Sequence, residues 1–249
     1  MMHRWAAVLL CCLLALAPVV AEEDHADGVC RGEDGETCSE LTAKLATFRA
    51  ATGTVRPPGD HGCAPVEVVP GLWTAHFHDI DSPLKLRSAA AGVTCVVNTA
   101  GAQCHPVDYG QEVRLVVVEG LRDDPDALKK VDGMEDGPAK VAARKALPKF
   151  SAEERAGDAR KDFELVSNLI DETITKGGAT VIHCHASLSR SVVFILAYLM
   201  RSKAITAIEA VHIMKPKWDA VWPNDSFVKQ LIEYEAHLAD EGILTSQIS

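Results

Sequence analysis

The sequence predicts one α/β domain, a mostly parallel central sheet covered by helices on both faces. Three observations carry this. Short β-branched runs alternate with longer segments of helical periodicity, the order that builds parallel strands joined by crossover helices. The runs at 93–98 (VTCVVN), 113–118 (VRLVVV) and 179–183 (ATVIH) are apolar almost throughout, as strands covered on both faces must be. A chain of 249 residues with 47% hydrophobic side chains has the material for one large core. The same composition excludes a disordered or collagen-like chain. With 35 acidic against 25 basic residues, net charge −10, the surface repels polyanions, which argues against nucleic acid and anionic membranes as general partners.

In chain order, residues 1–21 place Arg4 before an apolar run from Ala6 to Ala17, then Pro18 and small residues ending at Ala21. That is the layout of a secretory signal peptide. The run is well short of the ~20 residues a membrane-spanning helix needs, so no membrane span is expected after cleavage. The expected destination is the secretory lumen or the outside of the cell. A complex-plastid address begins the same way, but the acidic sequence after Ala21 is unlike a transit peptide. Residues 22–62 read as an acidic tail, a short helix capped by Ser39 with Leu41, Leu45 and Phe48 on one face, and a Pro/Gly linker. The main domain is expected at 63–242. A strand lies within 66–73, and helices are expected at 162–176, 191–202, 206–214 and 225–239. In the first of these, Phe163, Val166, Leu169, Ile170 and Ile174 share a face. Residues about 128–160, rich in Lys, Asp, Ala and Gly, read as a surface insertion.

The chemistry is concentrated in His183-Cys184-His185-Ala186-Ser187-Leu188-Ser189-Arg190-Ser191. A strand ends at His183, a tight loop comes next, and an apolar helix begins near Arg190. Backbone N–H groups from His185 through Ala186, Ser187, Leu188 and Ser189 to Arg190 turn inward as a nest for an anion. The helix N-terminus adds positive charge, and the Arg190 guanidinium is a planar fork that can hold two oxygens at once. The result is a cradle for a tetrahedral dianion with a thiol at its base. The same field favours the thiolate of Cys184, the nucleophilic form. The Ser191 hydroxyl can hydrogen-bond that sulfur and ease its departure, and His183 is expected to fix the loop rather than act as a base. A metal clip at His183-Cys184-His185 is disfavoured, because alternating side chains on an extended segment cannot all point one way.

Several ordered motifs resemble the dual-specificity phosphatase group of the cysteine-based protein tyrosine phosphatases. They are Val69-Pro70-Gly71-Leu72-Trp73, then 92–98 (GVTCVVN), the loop itself, Ala197-Tyr198-Leu199-Met200, and 223–235 with Pro223-Asn224, Phe227, Gln230-Leu231 and Tyr234-Glu235. The resemblance spans roughly 66–238. It implies a phosphomonoester hydrolase with a phosphocysteine intermediate, without metal or cofactor, acting on phosphorylated Tyr, Ser or Thr of proteins, as a monomer. It also implies a general acid on the segment 118–126. Matching L-x-D-x-P favours Asp123, with Asp124 second and Asp126 third. Phosphoglucan and phosphoinositide remain alternative substrates.

One departure stands out: family members usually have Gly three residues after the nucleophile, and here it is Ser187. In a left-handed conformation a non-glycine residue costs about 1–2 kcal/mol. This keeps open a catalytically weak module that captures phosphorylated ligands, while a sulfurtransferase of rhodanese type is disfavoured by the closing segment. Of the remaining cysteines, Cys30 and Cys38 are the nearest pair in sequence, Cys95 is expected as a buried free thiol, and Cys104 has three fates: a reversible disulfide with Cys184, a bond to Cys63, or none. Asn224-Asp225-Ser226 is a glycosylation sequon, but Asn224 is placed to cap the last helix. His76 and His78 read as a loop pair, and Trp218 and Trp222 as residues that pack or line a surface near the last helix.

Overall fold

In a computed structural model of the chain, the described residues are 38–53, 55, 57, 64–121, 137–139 and 157–244. Residues 1–21, expected as a signal peptide, Cys30, Cys63, most of the expected insertion and the Asp123, Asp124 and Asp126 trio lie outside them.

The strand expected within 66–73 is two strands. Val66–Val69 (β1) turns back onto Leu72–Ala75 (β2) as an antiparallel pair. Gly71 makes the turn at φ +80°, where a Cβ would stand 2.8 Å from Ile174 Cγ1; only glycine fits both the angle and the space. The other strands are Val93–Asn98 (β3), Arg114–Val117 (β4) and Ala179–His183 (β5). Their order is β1-β2-β5-β3-β4, with every pairing but β1/β2 parallel. His183 is level with Ala75 on one side and Asn98 on the other. The segments leaving β2, β3 and β5 therefore emerge at one edge of the sheet, the end of parallel strands where ligands bind in open α/β folds.

Among the described residues, six α-helices cover the sheet unequally. Cys38–Thr52 (α1), Arg160–Thr175 (α3), Arg190–Lys203 (α4), Ala207–Met214 (α5) and Asp225–Asp240 (α6) build the larger core with Cys95, Val97 and Ile182. Pro83–Ala89 (α2) and the segment through Tyr109 cover the opposite face over Val96 and Val181. Side chains of adjacent strand residues point to opposite faces, so this split arises from the apolar runs in the sequence. The helix α2 was not expected. Its signal was present: Ser82 accepts from Lys85 N at 3.3 Å, and Pro83 occupies the first turn. α1 begins at Cys38, so Ser39 lies inside it rather than capping it.

α4 carries the reactive loop into the core. Every residue from Arg190 to Met200 is buried, which explains why this helix is apolar all round. α3 and α6 wedge it with Phe163, whose ring lies 5.4 Å from Phe194 and 5.0 Å from Tyr234; such edge-on aromatic pairs contribute ~0.5–1.5 kcal/mol beyond area burial. α5 opens with a reciprocal capping box between Thr206 and Glu209. Asn224 caps α6, accepting from Phe227 N at 3.0 Å, which is the role anticipated over glycosylation. α1 packs outside α5 and α6. Its Arg49 donates to Asp225 Oδ1 (3.0 Å) and Pro223 O (2.7 Å) and lies 4.6 Å over the Trp222 ring. Among the described residues no single helix is long and apolar enough to cross a membrane.

Candidate active site

His183 ends β5 and fixes where the loop begins. Its carbonyl accepts from Thr99 N (2.8 Å) and Thr99 Oγ1 (2.9 Å) at the end of β3. Its ring stacks on Phe77 at 5.6 Å, and Nδ1 lies 3.1 Å from the Cys184 carbonyl. A carbonyl only accepts, so Nδ1 carries the ring proton and donates it. Burial pushes the imidazole down to about 4, with the Arg190 charge acting the same way against the Cys184 hydrogen bond. His183 is thus neutral at pH 7 and spends its donor on the backbone, as a loop-fixing residue would. On the next turn, Phe77 N donates to His185 O at 3.2 Å.

The Cys184 sulfur sits at the bottom of the loop, 2% exposed. Two donors meet it: Ser187 N at 3.2 Å and the Ser191 hydroxyl at 3.6 Å. Arg190 opens α4 and is 4% exposed. Its Nε and Nη1 are buried and meet no hydrogen-bond acceptor among the described residues. Buried guanidinium donors left unpaired are costly unless an anion takes them. With the positive end of a 14-residue helix beside them, they form the oxyanion half of the site. The structure therefore brings together Cys184, Arg190, Ser191 and His183 as the sequence anticipated.

The loop residues between them divide by role. His185 is exposed, with its ring edge-on to His78 at 5.6 Å. Ala186 is half-buried. The Leu188 side chain belongs to the large core, so only its backbone serves the loop; its carbonyl accepts from Trp222 N at 2.8 Å. Ser189 Oγ accepts from Asn224 N at 3.1 Å. Ser187 adopts φ +47°, the left-handed geometry that a family glycine would serve. Asp123 and Asp124 lie outside the described residues.

Several contributors were not singled out from sequence. Thr99 and Phe77 hold the loop's first turn. Asn98 donates to Gly101 O (3.2 Å) and Cys104 O (3.0 Å) and accepts from Ala100 N (2.8 Å), folding the 98–104 segment beneath the loop. A polar residue closing a β-branched run was the available signal for it. Trp218 was expected to pack or to line a surface near the last helix. It is fully buried, and its indole N–H also donates to Ser187 O at 2.9 Å.

Cys104 packs with Cys184, Phe77 and Ala100 in a small cluster. It is a free thiol, as are Cys95 and Cys184; Cys63, the other partner considered for it, lies outside the described residues. Burial pushes the Cys104 thiol up to about 11, the Cys184 charge adds to the rise, and Arg190 partly offsets it.

Known proteins resemble both the sequence and the fold. Residues 136–237 match the family model of the dual specificity phosphatase catalytic domain. Human dual specificity protein phosphatase 14 is 38% identical over 76 residues, covering 30% of this chain and 38% of that protein. Protein 123R of Invertebrate iridescent virus 6, a tyrosine phosphatase by name, is 35% identical over 83 residues, covering 33% of this chain and 58% of its own length. The chain thus spans less than two thirds of these relatives. Among solved structures, a mouse dual specificity phosphatase crystallised with zinc tungstate shares 23% identity at a TM-score of 0.55, covering 78% of this chain and 99% of that one. Human DUSP28 shares 22% identity at 0.52, covering 74% and 99%. At these identities the structural likeness speaks for the fold, and the family-model match speaks for the half of the domain that holds the reactive loop. The chain is thus similar in sequence over 136–237, and in fold, to the dual-specificity phosphatase group of the cysteine-based protein tyrosine phosphatases.

Proposed function

We propose that this protein hydrolyses phosphomonoesters on Tyr, Ser or Thr of proteins through a phosphocysteine intermediate, in the secretory lumen or outside the cell. One observation carries the reading. A buried sulfur receives two hydrogen bonds at the foot of a helix whose first residue holds two guanidinium donors that meet no acceptor among the described residues. A sulfur served only by packing needs neither. The Cys184 thiolate attacks phosphorus while the bond to the leaving oxygen breaks. Arg190 and the loop amides hold the three non-bridging oxygens. The leaving oxygen takes its proton from a carboxylic acid, which we assign to Asp123 before Asp124. Water then attacks the phosphocysteine and gives its proton to that carboxylate. Inorganic phosphate leaves, and the thiolate re-forms under the Ser187 N–H and the Ser191 hydroxyl. The lumenal location rests on the signal-like segment 1–21.

The test is hydrolysis of an aryl phosphate by the purified chain, then a panel of phosphopeptides, phosphoglucan and phosphoinositides with Cys184→Ser as the blank. The expected result is vanadate-sensitive, chelator-insensitive turnover that the variant lacks, with phosphopeptides preferred. Binding of phosphopeptides by the wild-type chain without turnover would replace this reading with that of a capture module.

A further inference from the structure

We propose that the Ser187 hydroxyl is a positioning group for the nucleophile: it ties the loop to the end of β2 and so holds the Ser187 N–H on the Cys184 sulfur. The inference rests on the proposed function, in which Cys184 is the nucleophile.

Ser187 occupies a conformation that glycine adopts without strain and serine does not. Something must compensate. The residue is fully buried, and each of its polar atoms is engaged. The hydroxyl donates its one proton to the Ala75 carbonyl and accepts from Cys184 N at 3.3 Å. The amide donates to Cys184 Sγ at 3.2 Å, and the carbonyl accepts from Trp218 Nε1 at 2.9 Å. Ala75 is the last residue of β2, paired in register with His183, so its carbonyl is a fixed anchor. Trp218 is itself fully buried, a second fixed anchor on the other side. The peptide that precedes Ser187 cannot rotate without breaking the sulfur contact, and the residue cannot leave its φ without losing Ala75 or Trp218.

The hydroxyl is thereby committed to the sheet and to the nucleophile's own amide. In this position the hydroxyl acts on the sulfur only through the backbone it immobilises. An amide dipole held 3.2 Å from sulfur stabilises the thiolate over the thiol. A glycine would relieve the strain but leave that amide free to turn, and Ala75 O without its donor. The two accounts of Ser187 therefore differ in sign. If the serine only stands in for glycine, Ser187→Gly is neutral or beneficial. If the hydroxyl positions the amide, Ser187→Gly harms the nucleophile while removing strain.

The experiment compares the full chain with Ser187→Gly, Ser187→Ala and Trp218→Phe. The rate of Cys184 alkylation by iodoacetamide is tracked against pH by peptide mapping, alongside kcat and KM on an aryl phosphate and thermal unfolding. We expect the alkylation midpoint of Ser187→Gly and Ser187→Ala to rise by about one pH unit, which is about tenfold less thiolate at pH values below it. The turnover profile should move in parallel, with the loss in kcat rather than KM and with melting of Ser187→Gly unchanged or higher. Trp218→Phe removes the indole donor together with part of a buried ring, so its melting is read beside its midpoint, which should move the same way by less. A wild-type midpoint in both Ser187 variants overturns the proposal, as does wild-type or higher turnover in Ser187→Gly. Alkylation needs no turnover, so a wild-type chain that hydrolyses nothing would remove the phosphatase reading and still leave the positioning role decided by the midpoint.

Discussion

Cys184 and Cys104 lie in the same small cluster, and both are buried, yet different groups surround the two sulfurs. Around Cys184 the end of β5 and the start of α4 deliver an amide, a hydroxyl and a guanidinium. Around Cys104 the shell is Phe77, Ala100 and the partly buried Val107. Desolvation dominates there and holds the proton on at neutral pH. Burial by itself therefore inactivates a thiol. What makes a nucleophile is burial together with donors aimed at the sulfur, and those come from a strand–loop–helix turn that Cys104 lacks.

The sharpest way to break this contrast is to remove each sulfur in turn. Cys184→Ser should abolish aryl phosphate hydrolysis, and Cys104→Ala should keep it. Equal losses in the two variants would mean that the cluster, rather than the loop, carries the chemistry. Next in size is the anion half of the site. Arg190→Lys retains charge but loses the planar fork, and kcat should fall by roughly 10²–10³, the usual cost of one oxyanion donor. A rate near wild type would show that the buried guanidinium does not hold the substrate. Asp123→Ala should lower kcat by roughly 10²–10⁴, as for a general acid, and flatten the limb of the pH profile that reports it. If Asp124→Ala does this instead, the assignment moves one residue along.

A smaller effect concerns the fold beneath the loop. His183 has a native value of about 4 against an ordinary 6.5, so the unfolded chain binds a proton between these values that the folded chain refuses. The native state's advantage is complete above pH 6.5 and is lost as pH falls towards 4. The loss is on the order of 3 kcal/mol for a shift of this size. Thermal melting should decline over that window, and His183→Asn should decline less steeply. Identical slopes would mean that His183 titrates normally in the native protein.

The contrast between the thiols also explains how much the sequence disclosed. The nucleophilic loop was legible because its chemistry is contiguous: strand, Cys184, inward amides and Arg190 come one after another, and a helix can begin only where they end. The strands at 93–98 and 179–183 were equally plain, since burial on both faces demands unbroken apolar runs. What escaped was the set of groups that reach the loop across the chain. Ala75 contributes a carbonyl, which any residue at that register would supply. Thr99 and Trp218 act through hydrogen bonds to partners 84 and 31 positions away. The β1/β2 turn was hidden because Pro70-Gly71 interrupts what reads as one apolar run. The seven-residue helix α2 is too short to show periodicity and was marked only by Ser82-Pro83. Ser187 stood out as a departure, but its cost could be weighed only once its hydroxyl was seen bonded to Ala75.

The most direct test of the central claim is to trap the intermediate. The wild-type chain is mixed with an aryl phosphate, quenched in acid within a turnover, and mapped by mass spectrometry. One phosphoryl group is expected on the Cys184 sulfur during turnover and none in Cys184→Ser. A phosphoryl group on any other residue, or hydrolysis at the wild-type rate by Cys184→Ser, would contradict it.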